Sequence, residues 1–177
     1  MTYILDTNII LDSVENLLTL SDNGTNTLVI PETVIDELDS KKVGFEDINF
    51  NARQFARLLE DSVILENKVI APLHIIKTSV ESLGINLLII SKKDYECDLQ
   101  TTAPNILNDR KILEAASDYI NKVEPATLIS LDIMFRTRAL SLGLAAEALT
   151  GKSSEQPNEF HKYLKVDNVT SLNGLPI

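Results

Sequence analysis

The chain has 177 residues, of which 44% are hydrophobic and 24% charged, a composition that fits one soluble globular domain with a sizeable core and leaves little room for a second. Its net charge of −10, from 26 acidic against 16 basic residues, argues against nucleic-acid affinity driven by a broad basic surface. One cysteine and two histidines exclude an intramolecular disulfide and a Cys/His zinc framework, and the lack of a long apolar run or a basic leader predicts a cytosolic protein without membrane insertion.

In chain order, TYIL (2–5) reads as a buried strand that stops abruptly at Asp6. A helix is predicted over roughly 9–20, with Ile9, Ile10, Val14, Leu17 and Leu18 at helical spacing and Asp6 able to cap it. NTLVI (26–30) is a second strand. PETVIDELDSKK follows as a helix with Pro31 in its first turn and lysines at its end. After the acidic-aromatic GFEDINF comes a helix at NARQFARLLEDS. Residues 62–85 are ambiguous: SVILENKVI reads as strands about an Asn-Lys turn, and LHIIKTSVESLG as a strand or a short helix. NLLIIS (86–91) is a strand and SKKDYECDLQTTAPN a loop. NDRKILEAASDYINK is a helix with Asn108 as a candidate N-cap, ATLIS (126–130) a strand, and DIMFRTRALSLG a helix stopped by Gly143.

Strands without strict alternation suit a sheet covered on both faces. The expected architecture is therefore a three-layer α/β/α sandwich with a central, mainly parallel sheet. Residues 1–150 carry it, and 151–177 read as a polar tail or linker.

Acids fall at telling places on this framework. Asp6 follows the first strand, Glu37 lies in the helix after the second, Asp109 opens the helix after the long loop, and Asp132 follows the ATLIS strand. Parallel sheets bring strand ends and following helix starts to one carboxyl edge, so four segments can deliver carboxylates to one rim. Clustered carboxylates repel unless protons or a cation intervene, and hard oxygen donors favour Mg²⁺ or Mn²⁺. Such ions activate water and stabilise the oxygens of a phosphodiester in displacement. Asn8 and Ser130 are polar neighbours able to orient a ligand. The competing reading makes Asp6, Asp109 and Asp132 helix caps and Glu37 a solvated helix residue.

The ordered set ILDTNIIL (4–11), VIPETVIDELDSKK (29–42), NARQFARLL (51–59), NDRKIL (108–113) and LISLDIMFRTRALSLGLAAEAL (128–149) resembles a PIN domain, and more narrowly the amino-terminal PIN domain of PhoH-like proteins. The resemblance implies a metal-dependent endoribonuclease that cuts single-stranded RNA with Mg²⁺ or Mn²⁺. It places the metal-binding catalytic acids on Asp6, Glu37, Asp109 and Asp132, with Ser130 and Asn8 in support. Arg53, Arg57, Arg136 and Arg138 are candidate RNA contacts, to be weighed against solvation or pairing with the many acids. Phe45 and Phe50 fit a loop anchor better than a base-stacking surface. The resemblance also implies a homodimer and a separate PhoH-like ATPase as partners.

GKSS (151–154) has the ending of a phosphate-binding loop, but Ala146 stands where its first glycine belongs, so ATP binding is not expected. An aspartyl-phosphate phosphatase would carry DxD where this chain has DTN and would leave Glu37 unexplained. A flavodoxin-like or receiver-like binding domain would not need four convergent acids. The remaining alternative is a catalytically weak PIN-fold module that binds RNA or regulates.

Overall fold

A computed structural model describes residues 1–97, 100 and 103–149. The tail, with the GKSS motif and the tail-or-linker reading, lies outside the described residues. The elements run β1 (Thr2–Leu5), α1 (Thr7–Asp12), α2 (Glu15–Ser21), β2 (Thr27–Pro31), α3 (Glu32–Ser40), α4 (Asp47–Glu60), β3 (Val63–Ile70), β4 (Leu73–Val80), β5 (Ile85–Ser91), α5 (Pro104–Lys122), β6 (Thr127–Ile129), α6 (Ile133–Ser141) and β7 (Ala146–Glu147).

The strands form one sheet in the order β3-β4-β5-β2-β1-β6-β7. β1 pairs in parallel with β2 and β6, β2 with β5, and β6 with β7; only the β3–β4 and β4–β5 pairs are antiparallel. Ile4 and Leu5 of β1, Leu28 to Ile30 of β2 and Leu128 and Ile129 of β6 are buried in the centre. Their lack of polar alternation follows from helices covering both faces, the three-layer α/β/α sandwich expected. No helix among the described residues is long and apolar enough to cross a membrane.

Several boundaries depart from expectation for local reasons. The predicted 9–20 helix is two: α1 begins at Thr7, directly after its N-cap Asp6, and ends where Ser13 turns extended. The Ser13 hydroxyl then accepts a hydrogen bond from Glu15 N–H at the start of α2, a side-chain alternative to continued helix. Pro31 ends β2 as the N-cap of α3, so its fixed φ sits just outside that helix. α4 starts at Asp47, because Asn49 Oδ1 takes the Glu46 N–H at 3.1 Å and closes its first turn. α5 starts at Pro104, its first position, so Asn108 and Asp109 lie in the second turn and Asn108 is no cap. In 62–85 there is no Asn-Lys turn. β3 runs unbroken through Asn67 and Lys68, and the chain reverses at Ala71–Pro72, where proline lacks the N–H a ladder needs. The two-residue β7 leaves no signal in the sequence, being too short for any periodicity to register.

The α3–α4 loop is held by polar bonds rather than by its aromatics. Arg53 Nη1 donates to the carbonyls of Lys42 and Gly44 at 2.7 and 2.9 Å, and Asn49 Nδ2 donates to that of Lys41 at 2.8 Å. Phe45 is fully exposed and Phe50 half-exposed, so neither anchors the loop. Gly44 has φ +140°, and a Cβ there would stand 2.2 Å from Asn49 Oδ1. Gly44→Ala is therefore expected to destabilise the fold by about 1–3 kcal/mol, read as a lowered urea midpoint, through backbone strain and displacement of Asn49.

Candidate active site

At the carboxyl edge, the aspartate that ends β1 is 6% exposed. Its position follows from the strand: β1 lies between β2 and β6, and Asp6 N–H donates to the Ile129 carbonyl at 3.0 Å, carrying the ladder one residue past the apolar run. Asp6 Oδ1 accepts from Thr7 N–H at 2.8 Å, and Oδ2 accepts from the Ser130 hydroxyl at 2.7 Å. Ser130 is itself fully buried, and its Oγ accepts from Asp132 N–H at 3.0 Å. One hydroxyl thus ties Asp6 to the segment that carries Asp132.

Asp132 N-caps α6, its Oδ1 accepting from Met134 N–H at 2.9 Å. The capping reading of the sequence is thus correct for Asp132 and Asp6, and capping engages only one oxygen of each. Asn8 Oδ1 accepts from Leu131 N–H at 3.2 Å, so its amide holds the same β6–α6 turn.

Glu37 is presented from the middle of α3. Its Oε1 accepts from the Thr7 hydroxyl, and its Oε2 accepts from Asn108 Nδ2 at 3.2 Å. Thr7 and Asn108 are therefore the positioning residues that sequence reasoning missed. In the sequence Thr7 is only the middle of DTN, and Asn108 reads as a helix cap. Asp109, one residue on from Asn108, pairs with Arg138 Nη1 at 2.9 Å.

The acids feel one another. Burial pushes the Asp6 carboxyl above its ordinary range; the Ser130 and Thr7 hydrogen bonds pull it back, and the charges of Glu37 and Asp132 push it up again. Asp109 is pushed up to about 6, first by burial and then by the charge of Asp6, with Asp132 and Glu37 adding to it and Arg138 opposing. Four segments far apart in sequence thus contribute carboxylates to one coupled electrostatic field. Each carboxylate accepts a hydrogen bond from a protein donor, and among the described residues no three Asp, Glu, His or Cys side chains are drawn close enough to grip a metal ion as they stand.

The four arginines divide. Arg53 holds the α3–α4 loop, Arg136 Nη1 donates to the Ser130 carbonyl at 2.7 Å, and Arg138 pairs with Asp109. Arg57 lies in the last turn of α4.

Comparison with known proteins bears on the family and the fold. Over 151 residues the chain is 29% identical to the protein PhoH2 of Bacillus subtilis, covering 82% of this chain and 32% of that one. It is 28% identical over 146 residues to PhoH2 of Mycolicibacterium smegmatis, covering 82% of this chain and 31% of that one. The chain therefore spans about a third of the length of these curated relatives. Among solved structures, a domain of a functionally unknown protein from Methanocaldococcus jannaschii superposes with a TM-score of 0.54 at 17% identity, over 85% of this chain and 91% of that one, a likeness of fold alone. Residues 3–150 match the PIN domain family, whose fold is nuclease-like. The chain belongs to the PIN domain family.

Proposed function

We propose that the protein is a metal-dependent endoribonuclease that hydrolyses phosphodiester bonds in single-stranded RNA. The observation that carries this reading is the gathering of Asp6, Glu37, Asp109 and Asp132 at the carboxyl edge, where the charges of the other three add to burial in raising Asp109 to about 6. A stability-driven fold gains nothing from packing like charges, whereas a site that takes up a cation does.

The donor set fits a hard divalent ion: all four groups are carboxylates, with no sulfur or imidazole among them. Asp6, Glu37, Asp109 and Asp132 are the residues that would hold Mg²⁺ or Mn²⁺, which when bound supplies an activated water and charge stabilisation on phosphodiester oxygens. The protein's own part is orientation. Ser130 and Thr7 N–H aim Asp6, the Thr7 hydroxyl and Asn108 aim Glu37, and Asn8 braces the turn before Asp132. Arg138 neutralises Asp109 in the apo protein and is placed to turn to a phosphate once a cation takes that carboxylate.

In this reading residues 1–150 form the nuclease unit and 151–177 a tail or linker. A PhoH-like ATPase, continuing this chain or on a separate one, is the partner the relatives suggest.

The test is cleavage of a labelled single-stranded RNA, with matched single-stranded DNA and duplex RNA alongside. Cutting is expected for the single-stranded RNA with Mn²⁺ or Mg²⁺, to cease with EDTA and to return with excess metal. Cutting that survives complete metal removal would refute the metal's role. A protein inert toward all substrates and both metals, yet retaining RNA in a filter assay, would instead make it a binding module.

A further inference from the structure

β3 is exposed along seven of its eight residues, unlike the other long strands. It forms one end of the sheet, so among the described residues no strand pairs with its outer edge. Val63, Ile64, Leu65 and Val69 stand largely in solvent, Val69 at 70% exposure. A long, apolar, unpaired edge is what soluble proteins usually blunt or cover.

The order of residues along this edge says what covers it. Ile64-Leu65-Glu66-Asn67-Lys68-Val69-Ile70 is palindromic in chemical character: two apolar residues, an acid, an amide, a base, two apolar residues. In an antiparallel two-fold pairing, residues equally far on either side of the centre face each other across the axis. With Asn67 on the axis, Glu66 of each copy lies opposite Lys68 of the other, Leu65 comes across from Val69, and Ile64 from Ile70. Moving the axis one residue either way sets Glu66 against Glu66 or Lys68 against Lys68, which cross-strand pairing disfavours. Charges that discourage pairing with unrelated edges thus specify one register with a second copy.

Within one chain Glu66 Oε1 and Lys68 Nζ are 3.3 Å apart on the same face, and both side chains are about half-exposed. In the pair, each carboxylate gains a second ammonium. The β3–β4 register shift between Ile64 and Glu66 confines the regular part of such a ladder to its centre and leaves apolar contact at its flanks. β1, which carries Asp6, lies four strands away across the sheet, roughly 20 Å, so both acidic rims stay open.

We infer that the outer edge of β3 is a homodimer interface, formed by antiparallel pairing with β3 of a second copy about an axis at Asn67. The test is sedimentation equilibrium of the full 177-residue chain over a range of concentrations. The parent is expected to dimerise, Lys68→Glu to weaken the dimer tenfold or more with unchanged circular dichroism and melting, and Glu66→Lys with Lys68→Glu to restore it. Asn67→Cys, with Cys97 replaced by serine, is expected to form a symmetric disulfide on mild oxidation, since facing residues on paired strands stand about 5 Å apart at Cα. A parent that stays monomeric throughout would overturn the interface. A dimer indifferent to Lys68→Glu and without the Asn67→Cys crosslink would do so too, by placing self-association elsewhere.

Discussion

Asp6→Asn is expected to reduce metal-dependent RNA cutting more than about a hundredfold while leaving the metal-free protein at least as stable as the parent. The activity side follows from removing one of the carboxylates proposed to hold the ion; even groups that only orient metal ligands cost 10–100-fold when lost. The stability side follows from burial. Asp6 is held above its ordinary range, so its charged form is destabilised by the fold; asparagine keeps an acceptor for Thr7 N–H and turns an amide N–H donor toward Ser130 Oγ, without that charge.

Asp109 gives the same argument a pH window. A carboxyl at 3.8 in the unfolded chain and about 6 in the folded one contributes stability below pH 3.8, which is lost as pH rises through 6. Asp109→Asn is therefore expected to melt higher than the parent at pH 7 in EDTA, with the difference vanishing toward pH 4. Thermal melts at several pH values, run beside the cleavage assay, check both sides. Loss of stability in Asp6→Asn equal to its loss of activity would identify Asp6 as a structural cap and sink its catalytic role.

Lys92→Met is expected to lower stability by about 3 kcal/mol, through a network that no local pattern announces. The Lys92 side chain is only 5% exposed, and its ammonium sits 2.6 Å from both Glu114 Oε2 and Asp118 Oδ2, one turn apart on α5. Burial alone would pull Lys92 down, but the hydrogen bonds and charges of Asp118 and Glu114 outweigh it and hold it above its ordinary value. Burial likewise pushes Glu114 up, and Lys92 with the N–H groups of Glu96 and Cys97 outweighs it, leaving that carboxyl below its usual range.

Removing the lysine leaves two carboxylates facing each other with their counter-charge gone, a loss of roughly 6–12 °C in Tm for a domain of this size. Glu114's share of stability is present above its ordinary value of 4.5 and is lost as pH falls through its lower folded value, so the gap between Lys92→Met and parent is expected to narrow in acid. Adding Glu114→Gln and Asp118→Asn to Lys92→Met is expected to recover much of the loss; a triple variant no better than the single one would mean that packing, not charge, is what Lys92 supplies. The network also bears on the site, because it fixes α5, which carries Asn108 and Asp109, against the end of β5.

The sequence by itself determined the parallel core of the fold. β1, β2, β5 and β6 are short apolar runs closed by turn or cap residues, and a strand covered on both faces must read that way whatever surrounds it. It also singled out Asp6 and Asp132 just past strand ends and Glu37 and Asp109 within the helices that follow, because in a parallel sheet chain direction alone sends those strand ends and helix beginnings toward one edge. Only the tertiary structure decided what each acid touches. Thr7 and Asn108 hold Glu37 from segments 30 residues before it and 71 after it, and Ser130 reaches Asp6 across 124 residues; no local pattern encodes such a pairing. The same holds for Arg138, a candidate RNA contact by type and a partner of Asp109 in space. The β3–β4 hairpin is only half legible for the complementary reason: SVILENKVI reads as strand, but with β3 exposed on both faces no burial imposes a period that would place its turn at Ala71–Pro72, and its meaning lies in the edge it leaves open.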